Sequence, residues 1–501
     1  MNKKEIIVGR KYEQLKLDKA YNSKRAEFIA VYGRRRVGKT YLVREFFINK
    51  PGVYFQVTGI HKSSQQLQLT EFTKEIKKIF FPGTVKLETP KNWMDAFEIL
   101  TECLNRADKK KKIIMFFDEL PWMAMKSSKL LQAIEYYWNR YWVSIPNLKF
   151  VVCGSAASWI INKIIRNKGG LHNRVTLRLP IAPFELAETK EFLEYEGIDY
   201  DHYQTLQLYM CIGGIPYYLT MLDKGLSAIQ NVNKICFQKK GSLLDEYDNL
   251  FSSLFSNADL YKILIEIIAS KREGISRETI ESLVRYKGGR LTNRLFELEE
   301  MGFIASFTPW GREKRGLYYK IVDEYTLFYL TWISSKAKNR IQKEITTKYW
   351  EEISQTQSWK SWAGLAFEAV SFKHISQIRR ALHISDGAAA YTWKYIPKKT
   401  SQHQTGAQID LVFDREDGIV NLCELKYSKS EFTIDKEEAN KLLQKAKTYR
   451  EVTKTKKLIF ISLVTTFGLK KSKSVGNLVT SIVTMDDLFH EGHGSSPERS
   501  P

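Results

Sequence analysis

Long apolar runs are missing from this 501-residue chain. The longest, such as residues 113–117, fall far short of the roughly 20 residues that a membrane-crossing helix needs. The opening MNKKEIIVGR has no apolar core of a secretory leader either, so a soluble, cytoplasmic protein with no membrane partner is expected. Cysteine is scarce. Cys103, Cys153, Cys211, Cys236 and Cys423 are odd in number and never spaced C-x-x-C, which argues against a disulfide framework or a zinc knuckle and fits a reducing compartment. No internal repeat is visible. Acidic residues are outnumbered, 56 against 78 basic ones, for a net charge of +22. Such an excess favours polyanionic partners, meaning nucleic acid or an acidic surface. It is unevenly spread: residues 1–240 hold 39 basic and 23 acidic side chains, residues 241–340 hold 15 and 14, and residues 341–501 hold 24 and 19. Part of the first excess is a lysine run at 109–112, which reads as a solvated loop.

What is present is a globular composition, 43% hydrophobic and 27% charged, in a chain several times the usual ~100–150 residues of a domain. At least two cores are expected, and three or four fit the length. Near the start, an apolar run at 28–32 leads into Gly33, Arg34, Arg35, Arg36, Val37, Gly38, Lys39 and Thr40, followed by Leu42, Val43, Phe46 and Phe47 at helical spacing. This is G-x-x-x-x-G-K-T between a strand and a helix, a phosphate-binding loop. The glycines let successive backbone N–H groups converge on phosphates, Lys39 supplies a point charge, and Thr40 offers its hydroxyl to Mg²⁺. ATP or GTP binding follows.

Such a loop needs a carboxylate at the end of a neighbouring buried strand, and residues 112–119 supply an apolar run ending in Asp118 and Glu119. Asp118 is expected to hold Mg²⁺ through water, and Glu119 to polarise the attacking water as general base. A third apolar strand, 148–155, ends in Ser155, a candidate γ-phosphate sensor or simply the start of the next helix. Arg174 precedes another short strand; it can be solvated, or reach a γ-phosphate in cis or in a neighbouring subunit of a homo-oligomer.

In order along the first half stand Val8, Gly9 and Arg10 with Glu13, the loop, Asp118 and Glu119, Gly154 and Ser155, Pro183, Phe184 and Glu185, and Gly213, Gly214, Ile215 and Pro216. This series resembles the archaeal-type ATPases of the AAA+/STAND group. The resemblance implies an adenine pocket near Gly9 and Arg10 and a helical lid that brings Pro216 close to the nucleotide. It also implies ATP rather than GTP, since no N-K-x-D-like guanine signature is evident, and a switch rather than a metabolic enzyme.

From about residue 257 the pattern changes to helices at 260–269, 276–284 and 291–301, then strands at 304–308 and 317–322 around a basic tip. Three helices and a hairpin read as a winged helix-turn-helix. In a DNA-binding reading, Arg290, Asn293 and Arg294 face a groove while Arg312, Lys314 and Arg315 hold phosphates. Glu297, Glu299 and Glu300 on the recognition helix weigh against it, and an internal relay is the other reading.

Beyond a connector with Trp350, Trp359 and Trp362, a helix carries Glu368, and two strands joined by a turn at 415–418 carry Asp410 on one and Glu424 and Lys426 on the other. Alternation puts Glu424 and Lys426 on one face, within reach of Asp410. Two carboxylates there can hold Mg²⁺ while the lysine orients water, which is the chemistry of phosphodiester hydrolysis. The other reading is a cross-strand ion pair. The helix glutamate, the aspartate and the E-x-K tripeptide resemble the PD-(D/E)xK restriction-endonuclease-like superfamily. The resemblance implies Glu368 as helix carboxylate, Asp410 and Glu424 as metal ligands and Lys426 as catalytic lysine. Ile409 stands where proline is common, and Gln408 where an acidic residue is frequent. A basic helix at 437–450 and strands at 457–463 and 478–483 follow; the Gly-, Ser- and Pro-containing end, 491–501, reads as disordered.

The expected fold class is therefore α/β: a P-loop ATPase core (1–180), a helical lid (181–250), a winged helix-turn-helix (251–325), a connector (326–360), a nuclease-like α/β domain (361–490) and a tail (491–501). The leading function is an ATP- and Mg²⁺-dependent switch that controls a DNA nuclease. Two alternatives are a regulatory DNA-binding ATPase whose last domain is a catalytically silent binding module, and a nucleotide-dependent scaffold with no nucleic-acid partner.

Overall fold

A computed structural model describes residues 6–83, 87–125, 127–166, 169–255, 257–271, 273–308, 316–334, 348–397, 406–470 and 478–491. The chain divides into two compact units, one comprising Met1–Pro183 with Ser252–Ser256 and Phe296–Met301, the other the remainder.

The first unit is built on five parallel strands, β1 (Glu27–Tyr32), β2 (Val53–Thr58), β3 (Ile113–Asp118), β4 (Leu148–Gly154) and β5 (Leu177–Pro180), in the order β2-β3-β4-β1-β5. β1, β3 and β4 are buried along their whole length, which is why, apart from Glu27, Asp118 and Lys149, they read as apolar runs rather than as alternation. Helices Gln65–Phe80 and Trp93–Arg106 cover the sheet, with Phe72, Trp93 and Phe97 packed against Phe117 of β3 or against each other at tilted and edge-on angles. Asn92 caps the second of these helices, accepting from the N–H groups of Met94 and Asp95.

The second unit begins with helices Leu186–Glu196, His202–Ile212 and Ala228–Phe237, and helix Glu246–Leu254 belongs to it as far as Phe251. The glycine pair between the second of these and the short helix Pro216–Leu219 has a packing cause. A Cβ on Gly214 would lie 2.0 Å from the Phe184 carbonyl oxygen, and Gly213 has φ 66° with Glu324 against it. Helices Ala258–Ala269, Arg277–Leu283 and Gly289–Glu300 follow, the last belonging to this unit as far as Leu295, with Ser276 capping the middle one. β6 (Ile275–Ser276), β7 (Ile304–Phe307) and β8 (Tyr318–Ile321) form an antiparallel sheet in the order β6-β8-β7. The expected basic tip with Arg312, Lys314 and Arg315 lies outside the described residues, as does the tail beyond Glu491. Arg294, one of the side chains of the DNA-binding reading, has its guanidinium 4.3 Å from the Tyr286 ring centroid and 5.9 Å from that of Tyr261, within reach of cation–π attraction.

After helix Gln357–Lys373 comes a second five-stranded sheet, β9 (Ala389–Tyr395), β10 (Ala407–Asp414), β11 (Ile419–Lys426), β12 (Leu458–Thr465) and β13 (Ser481–Val483), in the order β13-β12-β11-β10-β9. β9, β10 and β11 are antiparallel neighbours, joined between β10 and β11 by a tight turn with Gly418 at φ 82°. β11, β12 and β13 are parallel, and helix Lys436–Thr453 makes the crossover that parallel pairing requires. Tyr449 of that helix packs with Trp393, Ile409, Val412, Val420 and Leu422 on one sheet face. Among the described residues, no helix is long and apolar enough to cross a membrane, and all five cysteines are buried free thiols.

Candidate functional site

In the first unit, strand register builds the site. Tyr32 is opposite Gly154 and Phe117 opposite Val152, so the carboxyl ends of β1, β3 and β4 lie in a row. The loop leaves β1 through Gly33 at φ 147°, where a Cβ would sit 2.2 Å from the Ile181 carbonyl oxygen. It turns through left-handed Arg36 and Gly38 (φ 73° and 88°) into helix Lys39–Ile48. A Cβ on Gly38 would meet open space, the side from which phosphates can approach the helix N-terminus. Val37 and Arg34 are buried and Arg35 is exposed. The buried Lys39 donates to the Arg34 carbonyl at 2.8 Å, bracing the loop. Burial pushes its ammonium below the usual lysine range, against the pull of nearby Glu119 and Asp118.

The Thr40 hydroxyl lies 3.0 Å from both carboxylate oxygens of Asp118, so the two groups expected to face Mg²⁺ are already together. One hydroxyl and one carboxylate suit Mg²⁺, which keeps most of its waters and takes the rest of its ligands from phosphate. Asp118 is buried, and burial together with Glu119 raises it above the usual carboxylate range. Glu119 stands at φ 47° at the head of the short helix Leu120–Met123. Its Oε2 accepts from both the N–H and the hydroxyl of Ser155, each at 3.0 Å. Ser155 is thus the residue that orients Glu119, a geometry that joins two residues expected to play separate parts. Gly154 makes it feasible, since a Cβ there would lie 2.7 Å from the Pro121 ring. Arg174 is exposed in the turn before β5.

Arg10 is buried and donates from Nη2 to the Val37 carbonyl at 3.1 Å, while Gln14 donates to the Gly9 carbonyl at 2.8 Å. The N-terminal segment therefore clasps the phosphate loop itself. Pro216 heads its short helix in the second unit.

In the second unit, Asp410 of β10 stands one step beyond the register pair Leu411–Cys423, beside Glu424 of β11. Its Oδ2 accepts from the Leu425 N–H at 3.0 Å. Lys426 bridges Glu424 (3.1 Å) and Glu438 (2.9 Å), and Lys445 holds the other oxygen of Glu424 at 2.6 Å. Burial, then the charge of Glu424, raises Asp410 to about 6; burial, then Asp410 and Glu424, raises Glu368 to about 7. Burial disfavours the Lys426 charge, but Glu424 and Glu438 outweigh it and lift the ammonium to about 12. All four expected residues are thus in one electrostatic cluster. Lys445 and Glu438 were not singled out from the sequence, although with Leu442 they share one face of the crossover helix at spacings of four and three. Among the described residues, no three or more His, Cys, Asp and Glu side chains converge as a metal cage. The hard oxygen donors of Asp410 and Glu424, held close enough to repel each other, are the pair that fits a divalent cation.

The loop, the paired acidic residues on a strand not adjacent to β1 and the intervening β4 define the first unit's site as that of a P-loop ATPase. Residues 7–222 match the model of an ATPase domain predominantly from Archaea, so the chain carries an archaeal-type ATPase domain. Over 379 residues it is 26% identical to an uncharacterized protein of Methanocaldococcus jannaschii, covering 75% of this chain and 78% of that one. A 45-residue stretch, 9% of this chain, is 47% identical to an uncharacterized ATP-binding protein of the same organism and covers 76% of it. Among solved structures, the Walker-type ATPase of Pyrococcus abyssi is similar with a TM-score of 0.46 and 19% identity, over 65% of this chain and 96% of that one.

Proposed function

We propose that this chain is an ATP-binding, ATP-hydrolysing switch that controls a Mg²⁺-dependent DNA nuclease site in its C-terminal part. The observation that carries the second half is the cluster of Asp410, Glu424 and Lys426 on adjacent antiparallel strands, with Glu368 in electrostatic reach. In this reading the three helices and the sheet β6-β8-β7 are a winged helix-turn-helix and the last sheet is restriction-endonuclease-like. Gly9 and Arg10 border the adenine, and Arg174 senses the γ-phosphate.

Each step then has a residue. Glu119, fixed by Ser155, takes the proton of the water attacking the γ-phosphate. In the C-terminal site Asp410 and Glu424 would hold the metal, which supplies charge stabilisation at the scissile phosphate. Lys426, kept cationic by Glu424 and Glu438, positions the water and steadies the developing negative charge. The test is cleavage of plasmid and single-stranded DNA by the full chain in Mg²⁺ or Mn²⁺. Lys426→Ala and Asp410→Asn are expected to reduce cleavage at least 100-fold with ATP hydrolysis intact, on the ~10²–10⁴-fold scale of such groups. Cutting that survives in Asp410→Asn/Lys426→Ala would remove the site, and no cutting by the wild type would favour a silent binding module.

A further inference from the structure

The ammonium of Lys320, on β8 of the hairpin sheet, lies 3.6 Å from the ring centroid of Phe372 and 5.5 Å from that of Phe307. Phe372 stands one turn beyond Glu368 on helix Gln357–Lys373, so the lysine reaches the very face of the helix that carries the site's carboxylate. The side chain is half-buried. Burial lowers its ammonium to about 8, with Glu368 pulling the other way. Among the described residues its only charged neighbour of note is that carboxylate, and the aromatic rings steady the cation without neutralising it.

Charge balance shows what such a cation is for. The cluster holds four carboxylates, Glu368, Asp410, Glu424 and Glu438, against Lys426 and Lys445. With a divalent cation bound and all four carboxylates ionised, that set is neutral, which offers no net attraction for an anionic substrate. Among the described residues, Lys320 adds a further positive charge to that set, and a phosphodiester carries a negative charge that matches it. We propose that Lys320 is a phosphate-binding residue of the C-terminal site, contributed by the hairpin rather than by the sheet that bears the carboxylates. The ligand is the nucleic-acid backbone, and the inference rests on the nuclease reading of that site. The hairpin is then a wall of the site, so a movement of the hairpin would change substrate binding without touching the metal ligands.

The experiment uses the full chain and Lys320→Met, which keeps the apolar stem on Phe372, with Lys320→Arg as the conservative variant and exposed Lys441→Met as control. Thermal melting establishes that each is folded. Binding of a DNA duplex in Ca²⁺, which supports no cleavage, is followed by fluorescence anisotropy across a salt series, and cleavage in Mg²⁺ gives KM and kcat. Lys320→Met is expected to weaken binding about tenfold, to reduce the salt slope by about one, and to raise KM more than it lowers kcat, with Lys320→Arg restoring both. Binding and KM unchanged in Lys320→Met, with the wild type cutting, would overturn the role of Lys320 and leave the nuclease standing. Wild-type binding that depends on Lys320 without any cleavage would overturn the nuclease and uphold the phosphate site. A wild type that binds no DNA would overturn both.

Discussion

At the scale of single residues, the ATPase site turns on one carboxylate oxygen. Glu119 Oε2 receives two hydrogen bonds from Ser155, so this serine determines where the proposed general base points. Glu119→Gln is expected to lower phosphate release from ATP at least 100-fold while nucleotide binding, measured by calorimetry, stays within a few-fold. Ser155→Ala keeps the backbone N–H and loses the hydroxyl, so a smaller loss, of the order of tenfold in kcat, is expected from the same assay. Equal losses in the two variants would mean that Glu119 works only when the Ser155 hydroxyl holds it, and no loss in Ser155→Ala would mean that the backbone N–H alone suffices. The residue identities at this site were legible from the spacing G-x-x-x-x-G-K-T and from D-E at the end of an apolar run. The pairing of Glu119 with Ser155 was not, because it depends on β4 lying between β1 and β3, and strand order is a long-range property that no local pattern encodes.

At the scale of elements, the helix that carries Glu368 is tied to the first helix of the same unit. His374 is fully buried; its Nδ1 contacts the Val370 carbonyl at 2.8 Å, and its Nε2 accepts from the Leu186 N–H at 3.2 Å. Gln377 adds a bond to the Glu185 carboxylate at 2.9 Å. Accepting at Nε2 requires a neutral ring, and burial pushes its pKa from 6.5 down to about 4. The unfolded chain therefore binds the proton more readily than the folded one, so stability is fully present above pH 6.5 and is lost as pH falls from 6.5 towards 4. The loss from this group is about 3 kcal/mol at most, and His374→Gln, which retains an acceptor without a titrating ring, is expected to flatten it. Urea unfolding followed across that pH window checks this, and an unchanged slope in the variant would assign the acid sensitivity elsewhere. Helix and strand positions here were legible from apolar periodicity: strand 457–463 is found as Leu458–Thr465 and helix 437–450 as Lys436–Thr453. The tie between Leu186 and His374 was not, since a histidine in an amphipathic helix carries no mark of a partner 188 residues away.

At the scale of the whole molecule, the two halves of the proposed function work together only if nucleotide binding and the C-terminal site share one conformational equilibrium. Ile181 packs its carbonyl against Gly33 at the mouth of the phosphate loop, and three residues later Phe184 packs its carbonyl against Gly214. Each approach leaves no room for a Cβ, so both glycines are fixed by packing within their own unit. ATP can alter the C-terminal site only by binding one arrangement of the chain better than another, and a tenfold change in cleavage requires about 1.4 kcal/mol of such preference. Lys39→Ala removes the charge that the phosphates meet and touches nothing in the C-terminal cluster. It is therefore expected to leave nucleotide-free DNA cleavage at the wild-type level and to abolish the change produced by ATP, while Glu119→Gln, which binds ATP without hydrolysing it, locks the ATP-bound level. Both are read in one assay, cleavage rate against ATP concentration. A Lys39→Ala protein that still responds to ATP would place the controlling nucleotide somewhere other than this loop. A Glu119→Gln protein that behaves as if no ATP were present would mean that hydrolysis, rather than binding, supplies the signal.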